Sequence, residues 1–219
     1  MTTYGPPTKT VQDVYDYVKR AFGDESGVQL TDDDIVRWIN EAQSSIAEAN
    51  ETLQAIATTS LVANQADYSV SSITPTIYKI SSVLIDGRRV INMPVSQAEE
   101  SIANVDPAET ESGAPQFWYE WAKTITFWPV PSTSGTITIR YIAQPADVTT
   151  TGTDVLSLTD DYFMDIVNYV LKQAYEMDEN PEMMQLKAQE FDRSMAERGE
   201  KSTNAQNMTY PTIIAYELI

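Results

Sequence analysis

The chain has 219 residues, 42% of them apolar, enough for a real hydrophobic core and against disorder throughout. It carries 14 basic and 32 acidic residues, a formal net charge of −18, and the excess acid is spread over all thirds of the chain, so no basic face for gripping phosphate backbones is expected. There is no cysteine and no histidine, which excludes disulfides, thiolate nucleophiles, Cys or His zinc sites, and Ser-His-Asp or Cys-His catalysis.

The start, MTTYGPPTKT, has neither a basic nor an apolar region of signal-peptide type, so no signal peptide is expected. No apolar run approaches a membrane span. From Thr10 onward, Val11, Val14, Tyr15, Val18, Ala21 and Phe22 recur at helical spacing, and GDESG breaks the segment. LTDDDIVRWINEAQSSIAEAN then reads as a second helix. Thr31 is its N-cap, and Asp32, Asp33 and Asp34 load the first turn with the charge that a helix N-terminus favours. The three aspartates lack the D-x-D-x-D-G spacing of a calcium loop, and capping explains them without a metal. Ile35, Trp38, Ile39, Ala42, Ile46 and Ala49 form its apolar stripe.

The middle of the chain changes period. SLVANQADYSVS, IYKISSVLIDGRRVIN, PQFWYEWAKTITFWPVP and GTITIRYIAQP are rich in β-branched and aromatic residues, and predict four to six antiparallel strands. Ile137, Ile139 and Tyr141 alternate with Thr136, Thr138 and Arg140, as in a half-buried strand. Asp86-Gly87 is a two-residue hairpin signal. AEESIANVDPAETESGAP reads as an exposed acidic loop with one short helical turn. Helical spacing returns in LTDDYFMDIVNYVLKQAYEMD, with Phe163, Ile166, Val167, Val170, Leu171 and Ala174 on one face. Asn180 caps a last helix that opens at Pro181. Met184, Ala188, Phe191 and Met195 carry its stripe, and Gly199 is its expected stop.

The expected fold class is therefore α+β: a helical bundle formed from both chain ends, with an inserted antiparallel β lobe and an extended C-terminal tail. The boundaries are 1–55 for the N-terminal helices, 56–157 for the β lobe, 158–199 for the C-terminal helices and 200–219 for the tail. Helices near 10–22, 31–50, 160–178 and 181–198 are expected to share one core containing Trp38, Ile39, Ile166, Val170 and Phe191.

Little in the chain suggests chemistry. No glycine-rich phosphate loop is present, and no catalytic residue, cofactor or metal site is expected. A pair of carboxylates, as glycosidases use, needs no local motif and stays open. Phe117, Trp118, Tyr119, Trp121, Phe127 and Trp128 can fill a core or interface, or stack sugars; on strands the first use is commoner. Arg88 and Arg89 suit a phosphate contact or, more commonly, pairing with acids.

Taken in order, LTDDDIVRWINEAQSSIAEAN, IYKISSVLIDGRRV, GAPQFWYEWAKTITFWPVP, TITIRYIAQPADVT and LSLTDDYFMDIVNYVLKQAYEM resemble the head-to-tail adaptor (connector) proteins of tailed bacteriophages over roughly residues 28 to 198. The resemblance implies a non-enzymatic virion protein of the neck, assembled in the host cytoplasm. It implies a ring, usually a 12-mer, beneath the portal protein. That ring extends the DNA channel and joins capsid to tail or nozzle protein. Acidic walls would let packaged DNA slide through without tight binding. Two other functions stay open: a carbohydrate-binding or peptidoglycan-cleaving tail protein using Trp118, Trp121 and a carboxylate pair, and a capsid decoration protein.

The resemblance also implies a C-terminal segment that docks on the portal. Here GEKSTNAQ reads as a polar spacer before QNMTYPTIIAYELI. Tyr210, Pro211, Ile213, Ile214, Tyr216 and Leu218 are the expected partner-binding residues, for the portal or a neighbouring subunit. The alternative is a tail folded back on its own helices.

Overall fold

A computed structural model describes residues 6–103 and 112–206. The chain divides into two compact units, one of residues 1–50 with 147–219 and one of residues 51–146.

In the first unit, helix α1 (Val11–Phe22) opens on a capping box. Thr10 Oγ1 accepts from the Asp13 N–H at 3.3 Å, and the Asp13 carboxylate accepts from the Thr10 N–H at 2.9 Å. Helix α2 (Asp32–Asn50) opens on Thr31, whose Oγ1 accepts from the Asp34 N–H at 3.2 Å. The loop between them is tied by Asp24, whose carboxylate accepts backbone N–H groups of Val28, Gln29 and Leu30. A single 3-10 turn (Asp160–Tyr162) leads into α4 (Phe163–Met177). Asn180 Oδ1 accepts from the Met183 N–H at 3.2 Å, and Pro181 opens α5 (Pro181–Gln206).

Helix α4 is the hub on which α1, α2 and α5 pack. Ile166, Val167, Val170, Leu171 and Ala174 are buried, as are Val14, Val18, Ile35, Trp38, Ile39 and Ile46. The segment before α4 is pinned to α2 by polar side chains. Asn40 donates to the Val148 carbonyl at 3.1 Å and accepts from its N–H at 2.9 Å, and buried Gln43 accepts from the Ser157 N–H at 2.6 Å.

The second unit is built on a seven-stranded sheet of order β1-β9-β3-β4-β6-β7-β2. Its strands are β1 (Gln54–Leu61), β2 (Asp67–Ser69), β3 (Ile77–Ile85), β4 (Arg88–Asn92), β6 (Phe117–Trp121), β7 (Thr124–Trp128) and β9 (Gly135–Ala143). Strands β5 (Ser112–Gly113) and β8 (Val130–Pro131) form a small second sheet, and helix α3 (Val95–Ala103) connects β4 towards β6. The β3–β4 turn is Asp86-Gly87, both at positive φ (48° and 79°), the primed-turn geometry that glycine accommodates without strain. Ile137, Ile139 and Tyr141 face the core with Val83, Val90, Trp118, Ile125 and Phe127.

The expected fold class is corrected here. Among the described residues the structure is mixed α and β, with five α-helices, a seven-stranded sheet and a two-stranded sheet that make a sheet-rich lobe, and not a helical bundle formed from both chain ends. Helix α5 makes this concrete. Among its described side chains only Phe191 is buried, so α5 lies along α4 and α2 with most of its described surface exposed. The lobe is not purely antiparallel either, because β4 pairs with β6 and β5 with β8 in parallel. A parallel pair needs a crossover, and α3 forms part of it, opening at Val95 and covering the start of the stretch expected to be an acidic loop with one helical turn.

The extended tail from residue 200 is corrected as well. Helix α5 runs through Gly199 to Gln206. A mid-helix glycine costs only about 1 kcal/mol relative to alanine. Arg198 anchors this stretch: its Nη2 donates to the Asp161 carbonyl, its Nε lies 2.9 Å from Asp165 Oδ2, and its guanidinium sits 4.6 Å from the Tyr162 ring centroid.

Candidate functional site

The partner-binding residues expected from sequence, Tyr210, Pro211, Ile213, Ile214, Tyr216 and Leu218, lie outside the described residues. What can be built from the structure is the surface that the rest of the chain offers.

The aromatic cluster does not form one platform. Trp118 and Phe127 are cross-strand partners buried in the sheet core, and Phe127 stacks edge-on against Tyr68 at 5.6 Å. Trp121 stands at the end of β6, 70% exposed. The turn after it places Ala122 and Lys123 at φ 49° and 59°, left-handed positions for two non-glycine residues. Trp118 and Trp121, the pair a sugar site would need, are thus separated into core and surface. Arg88 and Arg89 are exposed at the start of β4, and Lys123 is exposed on a different hairpin.

In the first unit a surface concavity of about 590 Å³ is lined by Lys9, Asp13, Asp16, Tyr17, Arg20 and Phe163. Its two acids and two bases balance. Lys9 sits 5.2 Å from the Phe163 ring centroid, Asp13 is engaged in capping Thr10, and Asp16 accepts from Gln12. Among the described residues no group of three acidic side chains is arranged to hold a metal ion.

The perturbed carboxyls are structural ties. Asp24 is held below its ordinary range by the N–H of Leu30 first, against some desolvation, with Val28 and Gln29 adding. Asp154 is lowered chiefly by the Thr149 hydroxyl, and Asp160 by the Thr8 hydroxyl and backbone N–H. Burial, with Asp32 and Asp33 adding, pushes the Tyr15 hydroxyl up to about 12, so it stays a neutral donor to the Asp32 carbonyl. Asp24 and Asp154 act within their own loops, Asp160 ties Thr8 and Lys9 to the turn before α4, and Tyr15 ties α1 to the start of α2; none is poised over a cleft as a proton-transfer group would be.

One surface escaped the sequence reading. Among the described residues, strand β1 lies at the edge of the seven-stranded sheet and pairs along its full length with β9 only. Its sequence, QAIATTSL, contains no charge and no proline. That composition was the available signal, since edge strands usually carry one or the other.

The chain thus presents, among its described residues, an eight-residue edge strand without charge or proline, a surface suited to pairing with another strand. It belongs to the SU10 adaptor protein family, a family of phage head-to-tail adaptors, whose model matches residues 9–214. A search of curated proteins finds no match. Membership makes the chain a phage adaptor, a structural component of the virion that works through contacts with other head and tail proteins. No described helix is long and apolar enough to cross a membrane.

Proposed function

We propose that this adaptor assembles as a twelve-fold ring beneath the portal protein, extends the DNA channel, and carries the tail or nozzle protein on its other side. The observation that carries the reading is the family match across residues 9–214. The charge of −18 supports it in a second way: acidic walls repel the phosphate backbone, so DNA slides and is not gripped. The same charge keeps free copies apart until a template brings them together.

Residues Tyr210, Pro211, Ile213, Ile214, Tyr216 and Leu218 are proposed as the docking segment, on the portal or on a neighbouring subunit. Such a peptide gains about 1.5–3 kcal/mol for each large apolar side chain it buries, against the cost of ordering it. Negative-stain microscopy of the purified protein mixed with portal rings tests the assembly. Twelve-fold rings seated on portals are expected. Protein that stays monomeric beside portals, or that coats capsid shells and ignores portals, overturns the proposal.

A further inference from the structure

We propose that the free edge of β1 receives residues 212–218 of a second copy of this chain as an added strand. This rests on the ring assembly proposed above and says what joins one copy to the next.

The first argument is the edge itself. Sheet edges are normally blunted by charges, prolines, bulges or shortness. The opposite edge of this sheet obeys that rule, since β2 has three residues and begins with Asp67. Strand β1 does not. It is eight residues long and pairs with β9 in unbroken register from Gln54↔Ile142 to Leu61↔Gly135. Its other row of backbone N–H and C=O groups meets no strand among the described residues. An unprotected edge of this length is a template for strand addition.

The second argument is the shape of the shelf. On the core side β1 presents Ala55 and Ala57, half-buried and small, with Tyr141 and Ile139 as their β9 partners. The hydrophobic core thus reaches the sheet edge with little side chain to close it. On the outer side Ile56 is 66% exposed.

The third argument is the occupant. TIIAYEL, residues 212–218, alternates so that Ile214, Tyr216 and Leu218 share one side with Thr212, and Ile213, Ala215 and Glu217 share the other. Large apolar side chains at 214 and 216 match a shelf of alanines, and the lone acid falls on the side that carries exposed Arg140.

The donor segment also has reach. Arg198 is tied to the start of α4, and the helix continues eight residues beyond it, about 12 Å. Residues 207–211 then span up to about 17 Å when extended. Donor strand and acceptor edge are different surfaces of one chain, so the contact is head-to-tail and repeats from copy to copy, as a closed ring requires.

The chain has no cysteine, so single cysteines report the pairing directly. One preparation carries Thr58→Cys, on the outer side of β1. Six others each carry one cysteine at a position from 213 to 218. Each is mixed with the first and with portal rings, then oxidised. Disulfide-linked dimers are expected at one or more of positions 213, 215 and 217, and not at 214, 216 and 218. Uniform linkage, the reverse alternation, or no linkage in rings that do form overturns the strand addition while leaving the ring reading intact. A chain carrying both Thr58→Cys and Ala215→Cys that closes on itself as a dilute monomer overturns the second copy as donor. If the unsubstituted chain forms no ring on portals, the ring reading fails and this inference with it.

Discussion

Arg198 and Asp165 hold the far end of α5 against the start of α4, and their coupling can be worked out from the structure. Asp165 is 2% exposed, whereas the Arg198 side chain keeps 30% of its surface in water. Nε and Oδ2 are 2.9 Å apart but lack the alignment of a hydrogen bond, so the contact is mainly Coulombic. At an effective dielectric constant of about 20 the gross attraction is about 6 kcal/mol. Desolvation of a buried carboxylate consumes much of it, leaving a net coupling of about 1–3 kcal/mol. Arg198→Met strands the carboxylate and is expected to cost about 3 kcal/mol. With a urea slope of about 2 kcal/mol per molar, that moves the denaturation midpoint down by about 1.5 M. Far-UV circular dichroism is the assay, because the long helices lie in this unit. Asp165→Asn should be destabilising alone, and the double variant should be less damaged than the sum of the two. A coupling below about 0.5 kcal/mol would refute the reasoning and leave Tyr162 and the Asp161 carbonyl as the real anchors of Arg198.

Trp38 is 5% exposed in the core of the same unit, so Trp38→Ala should cost about 3–5 kcal/mol in urea denaturation; a loss under about 1 kcal/mol means that the residue is not packed as described. Asp24, Asp154 and Asp160 have folded-state pKa values lowered below the ordinary carboxyl value, so their stabilisation is fully present above about pH 4 and is lost as pH falls through their folded values. The thermal midpoint should therefore drop on acidification below about pH 4, and Asp24→Asn should flatten part of that slope; an unchanged slope refutes the tie to Leu30. The isolated protein should bind duplex DNA weakly or undetectably at physiological salt in an anisotropy titration, and submicromolar affinity with a steep salt slope would reveal a concentrated basic face around Arg88, Arg89 and Lys123. Deleting residues 208–219 should leave the monomer's thermal midpoint nearly unchanged and abolish assembly on portal rings; if the truncated monomer unfolds, the segment belongs to its own core.

Local chemistry was legible wherever a few adjacent residues decide the outcome. Thr31 and Asn180, before Pro181, start helices because the first N–H groups need an acceptor within one turn. Asp86-Gly87 turns a hairpin because both residues tolerate positive φ. The alternation around Ile137, Ile139 and Tyr141 marked its buried face for the same local reason. The segment proposed to dock on a partner reads in the sequence as an apolar peptide with strand-like alternation.

Tertiary structure decided the rest, because packing energy overrides weak local signals. Gly199 stops nothing, since Arg198 is fastened to α4 and the neighbouring residues favour helix. Residues 95–103 after β4 form helix α3, part of the crossover that lets β4 and β6 run parallel. The stripe on α5 looked like that of a core helix, but periodicity records one apolar face and not how much of it a neighbour covers. The exposed edge of β1 is likewise a property of strand order. The strand that starts at Gln54 had to pair with the one that starts at Gly135 before β1 could be left outermost, and no local window of sequence contains that fact.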